Sequence, residues 1–205
     1  MDMADLSIDQ KLDLALATNT ASEILESLAN DVVQWIPGSY DESFALRRNV
    51  ASNPNAPIHL FLQLAEDDES EVRWEVAKNP SITQEMIDEF SKDDDYIAAV
   101  ASNKKCSSET LQAFSKIKDD SIREAVAANP NCPVALIKKW AKLKDENIRA
   151  CVASNPSAPI EILEVLASDD EASVRMMVAC NPSCPIGLLV QLSEDDDSEV
   201  RRYVA

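Results

Sequence analysis

The sequence predicts an all-α solenoid of tandem two-helix repeats, each of about 26 residues, on three observations. A Val-Ala-x-Asn-Pro element recurs along the chain. Apolar residues between its copies fall at helical spacing. Glycine is nearly absent, with two residues in 205, so the tight turns of open sheets and phosphate loops are not provided for.

The recurrence sets the frame. The repeated valines stand at 50, 76, 100, 126, 152, 178 and 204, and the spacing is 26 except for 24 between Val76 and Val100. Val100-Ala-Ser-Asn-Lys104 keeps the element but loses its proline. A degenerate copy is read at Leu16-Ala17-Thr18-Asn19-Thr20. The chain is therefore read as one repeat domain over 1–205. It comprises a degenerate N-terminal repeat or cap at 1–29, an insertion at 30–45, and six repeats plus a terminal half repeat at 46–205.

Within a repeat, the first helix carries an apolar residue four before the valine (Leu46, Val72, Tyr96, Ile122, Ile148, Val174 and Val200), then the valine and the alanine after it. Ser121-Ile-Arg-Glu124 reads as a capping box in front of it, with Asn147 and Ser173 at the same position in later copies. The helix should stop before Pro54, Pro80, Pro130, Pro156 and Pro182, because the residue before a proline avoids α geometry. For the second helix, Asn55, Ser81, Asn131, Ser157 and Ser183 read as N-caps, with Pro57, Pro133, Pro159 and Pro185 in the first turn. Its buried stripe falls 10, 11 and 14 residues after the valine, as in Leu136, Ile137 and Trp140. Neither stripe can be buried by one repeat alone; stacking buries both.

The insertion carries Val32, Val33, Trp35, Ile36, Tyr40 and Phe44 around Pro37-Gly38. It reads either as a cover over the end of the core or as a partner-binding loop.

The pattern Val-Arg-x-x-Val-Ala-x-Asn-Pro-x-x-Pro-x-x-x-Leu-x-x-Leu-Ala, clearest in Val174 to Pro185, resembles the bacterial leucine-rich repeat variant family. The resemblance covers 46–205 well and 12–29 weakly. It implies a right-handed superhelix in which one helix of each repeat is 3₁₀, and the same element also looks like HEAT-type repeats. The family's best-known member carries an N-terminal cysteine-ligated iron–sulfur cluster. The first cysteine here is Cys106, so that cofactor is not carried over.

Several polar features invite chemistry. Arg47, Arg73, Arg123, Arg149, Arg175 and Arg201 form a file three residues before the valine, interrupted by Ile97. They read as a structural ladder onto acidic turns, or else as a stripe for anions. The acidic turns, such as Asp67-Asp68-Glu69 and Asp195-Asp196-Asp197, read as caps and arginine partners and lack the calcium-loop pattern. Cys106, Cys132 and Cys184 share one repeat position, where Ala56, Ile82 and Ala158 stand elsewhere, and read as small buried residues. Cys151, Cys180 and the single histidine, His59, complete the inventory, and no metal site, cofactor or catalytic residue is assigned.

On the first helix, the positions two before and two after the valine are small or apolar. They read as close packing between repeats or as a groove with Trp74, Met176 and Met177 as anchors. Trp35 and Tyr40 of the insertion join them as candidate partner-binding residues. The formal charge of −18 disfavours nucleic acid and favours a protein partner with a basic surface. The acidic N-terminus has no signal-peptide core and no apolar run approaches 18 residues, so the chain is expected to be cytoplasmic and free of membrane spans. It ends in mid-repeat, which makes end-to-end self-association an expectation. The resulting expectation is a non-enzymatic protein-interaction scaffold. An accessory to a cofactor enzyme or HEAT-like lyase, and a nucleic-acid-processing repeat protein, are the alternatives.

Overall fold

The computed structural model describes residues 6–33 and 42–204. It is all-helical among them and divides into two compact units, 1–103 and 104–205. In the first unit, first helices of repeats are α1 (Ile8–Leu16), α3 (Glu42–Ser52), α5 (Ser70–Lys78) and α7 (Ile97–Ser102); second helices are α2 (Ser22–Val33), α4 (Ile58–Leu64) and α6 (Gln84–Phe90). In the second unit, second helices are α8 (Ser108–Phe114), α10 (Val134–Trp140), α12 (Ile160–Leu166) and α14 (Ile186–Leu192). They alternate with first helices α9 (Asp120–Ala128), α11 (Glu146–Ser154), α13 (Ala172–Ala179) and α15 (Ser198–Val204). The 3₁₀ geometry implied by the family resemblance is found at Asp94–Tyr96, in front of α7; the helices of the repeats are α.

Stacking runs through the first helices. In the first unit α1 packs on α3, α3 on α5 and α5 on α7; in the second, α9 on α11, α11 on α13 and α13 on α15. Within each unit a second helix that has a first helix on both sides lies against both, as α4 does against α3 and α5. The apolar positions read from the sequence are the core. Val50, Val76, Val100, Val126, Val152 and Val178 are buried with the alanines that follow them, and so are Phe61, Ile87, Leu111, Ile137 and Leu163 on the second helices.

The first helix ends on the motif asparagine. Asn79, Asn129 and Asn155 are C-caps with ψ of 128°, 131° and 120°, the extended geometry that the proline after each favours, and Asn103 keeps it at 126° before Lys104, so the proline is not its sole cause. Three local expectations are corrected. Asp119, not Ser121, caps α9: its carboxylate accepts from the Ile122 amide, and the Ser121 hydroxyl donates to that same carboxylate. Asp145 does the same for α11, accepting from the Asn147 and Ile148 amides. An ionised carboxylate at a helix N-terminus also gains from the dipole, which a serine hydroxyl does not.

The second helices start later than expected, because Pro57, Pro133, Pro159 and Pro185 are themselves the N-caps. Where the proline is replaced, Thr83 and Ser107 cap through their hydroxyls, which accept from the amides of Met86 and Thr110.

The third correction is the register of the first copy. The buried alanine there is Ala15, whereas Leu16 is exposed, and Leu25 and Leu28 are buried on α2. Leu14, not Leu16, thus stands where the valine does, and Thr20 takes the buried place of Cys106.

Candidate functional site

The recurring asparagine is the residue whose role the sequence reading missed. Extended backbone at Asn79, Asn103 and Asn155 carries each side chain toward the preceding repeat, and the side chains of Asn53 and Asn181 reach the same way. Asn79 Nδ2 donates to the carbonyls of Ala51 (2.7 Å) and Asn53 (3.1 Å). Asn103 does so to Ala77 and Asn79, Asn155 to Ala127 and Asn129, and Asn181 to Ala153 and Asn155. Asn53 donates to Ala15 and Ala17, which fixes the register of the first copy. The Oδ1 of Asn79 accepts from the Ser81 amide, and those of Asn155 and Asn181 accept from Ser157 and Ser183. The residue two further on adds a second stitch in places, as when the Ser81 hydroxyl donates to the Pro54 carbonyl at 2.6 Å. Among the described residues no buried side-chain nitrogen or oxygen lacks a partner.

The arginine file is a second set of ties. The Arg47 fork grips the carboxylate of Asp67, twenty residues on, through Nε (2.7 Å) and Nη2 (3.2 Å). Arg149 grips Asp169 and Arg175 grips Asp195 in the same two-pronged way. Arg149, Arg175 and Arg201 also donate Nη1 backward to two carbonyls of the turn before their own helix, those of Leu143 and Lys144, Asp169 and Asp170, and Asp195 and Asp196. The bond from each arginine, chiefly, holds the carboxyls of Asp169 and Asp195 below the ordinary aspartate range. Arg123 departs from the pattern: residue 143 is leucine, and Arg123 meets Asp120 at 3.2 Å on the surface.

Arg73 departs too, and there a cleft opens. Asp93, twenty residues on, accepts from the Asp95 amide just as Asp67, Asp169 and Asp195 accept from the amide two residues on, but Arg73 Nε is directed away from it. Tyr96 takes its place, accepting from Arg73 Nε at 2.6 Å, while Arg73 Nη1 donates to the Asp67 carbonyl. The Tyr96 ring lies 5.7 Å from the guanidinium carbon and meets Phe90 edge-on at 5.3 Å between centroids. Beside them is a cleft of about 540 Å³ between α4 and α6, lined on its apolar side by Leu62, Met86, Phe90 and Tyr96. Glu66, Glu85, Glu89 and Asp93 line the rest and are all exposed. In the second unit, the cleft at Asp169, Arg175 and Asp195 is lined mainly by polar groups and holds the arginine–carboxylate pair already described.

Of the expected anchors, Trp74 is half-buried on α5 with the Lys78 ammonium 4.5 Å from its ring centroid. Met176 and Met177 are half-buried on α13. Trp35 and Tyr40 lie outside the described residues. His59 is exposed, 3.4 Å from Glu26. Cys106 and Cys132 are buried, Cys151 and Cys184 partly so, and Cys180 is exposed. Burial pushes the Cys132 thiol up to about 12, and burial with nearby Glu124 and Asp145 pushes Cys151 up to about 11. No group of three metal-ligating side chains is placed to hold an ion among the described residues, and no described helix is long and apolar enough to cross a membrane.

A solved structure described as a leucine-rich repeat variant with a novel repetitive protein structural motif is similar to this chain. The identity is 21% and the TM-score 0.44, over 96% of this chain and 80% of that one. No family model and no curated protein matches the chain.

The sequence did carry signals for what was missed. The asparagine is part of the repeated element itself. The cleft coincides with the copy that loses two residues, an arginine and a proline together, at Tyr96, Ile97 and Lys104.

Proposed function

We propose that this chain is a non-enzymatic interaction scaffold whose surface captures a protein partner with a basic face. The observation that carries this reading is the cleft at the shortened repeat. The residues that recur with the period are largely consumed by the stack: asparagine on backbone carbonyls, arginine on aspartate, aspartate on helix starts. An apolar-lined, acid-rimmed opening serves no such purpose, and the clefts at Asp195 and at Arg149 in the second unit are lined mainly by polar groups instead.

The formal charge of −18 supports a basic partner and opposes a phosphate backbone. Trp74 on α5, and Met176 with Met177 on α13, are further candidate anchors. The test is purification under native conditions from the cells that make the protein, with chemical cross-linking, mass spectrometry and an absorbance spectrum. A stoichiometric basic partner, released by raised salt and weakened by Trp74→Ala or Met176→Asp, is the expected result. A bound chromophore with no protein partner would overturn it in favour of an accessory to a cofactor enzyme.

A further inference from the structure

We infer that the cleft between α4 and α6 binds a short segment of a basic protein, seating an apolar side chain against Leu62 and Met86 and pairing flanking lysine or arginine with the carboxylates of its rim. This rests on the scaffold reading and names the chemistry its partner presents.

Size is the first ground. About 540 Å³ falls within the range of sites that enclose small ligands or one to two large side chains. Composition is the second. Leu62 is 57% exposed and lies beside buried Met86 and Phe90, so one apolar side chain placed there removes water from a surface already half dry.

Charge is the third. Glu66, Glu85, Glu89 and Asp93 surround an opening whose one lining cation, Arg73, already spends Nε on Tyr96 and Nη1 on the Asp67 carbonyl. Lys92 offsets only Glu89, in a fully solvated pair. Glu85 stays ionised, its carboxyl lowered by its own backbone amide and by the Thr83 hydroxyl. A field of this sign excludes a nucleic acid and repels a second copy of so acidic a chain, while it favours lysine and arginine.

The array itself supplies the fourth ground. In three repeats an aspartate twenty residues on fills the arginine fork. Only the loss of two residues before Val100 replaces that aspartate by Tyr96 and opens an apolar wall.

The experiment is a methyl NMR titration of the full chain with the blocked peptide Lys-Arg-Leu-Phe-Arg-Lys. Two controls accompany it: Lys-Arg-Ser-Ser-Arg-Lys, which lacks the anchor, and Glu-Glu-Leu-Phe-Glu-Glu, which reverses the charge. The first peptide should shift the Leu62 and Met86 methyls, and each control should bind at least about tenfold more weakly. Leu62→Ser and the pair Glu85→Lys with Glu89→Lys change exposed side chains and should each weaken binding by a similar factor at unchanged helical CD. Absence of methyl shifts at millimolar peptide, or affinity untouched in both variants, overturns the assignment. Undiminished capture of a native partner by a variant that no longer binds peptide would overturn the cleft and leave the scaffold standing.

Discussion

Asn155 is wholly buried, and each of its polar side-chain atoms is engaged. Asn155→Ala removes the side-chain donor from the carbonyls of Ala127 and Asn129, the latter keeping the Cys132 amide, and the acceptor from the Ser157 amide, and should cost about 2–4 kcal/mol in urea unfolding. Asn155→Asp should cost more, because it also sets a carboxylate against two carbonyl oxygens. An alanine variant as stable as the parent would remove the asparagine from the stacking account. Acid acts on the other ties. Asp169 and Asp195 have folded values below the unfolded value of about 3.9. The stability they add is therefore complete above the unfolded value and lost as pH falls through the folded ones. The stability gap between parent and the pair Asp169→Asn with Asp195→Asn should shrink below about pH 4, as thermal unfolding at pH 7 and pH 3 would show. Thiol labelling should find Cys180 first, since it is exposed, and Cys106 and Cys132 only after unfolding. The asparagine was visible in the sequence as a letter of the motif. Its function was not, because backbone carbonyls of another repeat accept its protons and such acceptors leave no mark on residue type.

At the scale of the element, the period exposed nearly every helix, and the errors lie at the helix starts. Ser121 and Asp119 are both good caps by type, and only geometry shows the carboxylate bonded to the Ile122 amide. The first copy slipped by two residues because Asn19 imitates the motif asparagine. The apolar stripe at Ile24, Leu25 and Leu28 would have corrected it, since it lies 10, 11 and 14 residues after Leu14. The arginine ladder also shows an element that can be repaired. Arg123 has no carboxylate twenty residues on, so Leu143→Asp should give it the fork seen at Arg149. The gain should be about 0.5–1 kcal/mol, and it should vanish in an Arg123→Gln background. An equal gain in that background would mean the aspartate acts as a cap instead.

For the whole molecule, the sequence resolved the repeated architecture from seven valines whose six gaps are all 26 but one, which is 24. The cleft was not legible in the same way. Its walls come from Leu62, Met86 and Tyr96, which belong to three different helical segments that the repeat pattern assigns separately and that stacking brings together. The excess of acid also has a global effect. With 37 acidic against 19 basic residues, the folded chain repels itself at neutral pH. Raising salt from low to moderate concentration should therefore raise the melting temperature while weakening capture of a basic partner, opposite responses from one cause. A melting temperature that falls with salt would show that the arginine–aspartate ties outweigh the repulsion.

The asparagine ladder has a direction, and that direction matters during synthesis. In the ties from Asn53 to Asn103, and again at Asn155 and Asn181, the later repeat donates and the earlier one accepts. A ribosome delivers the earlier repeat first. Each new helix pair then emerges beside a finished edge of waiting carbonyls, so within each unit the chain can add its repeats in the order in which they are translated.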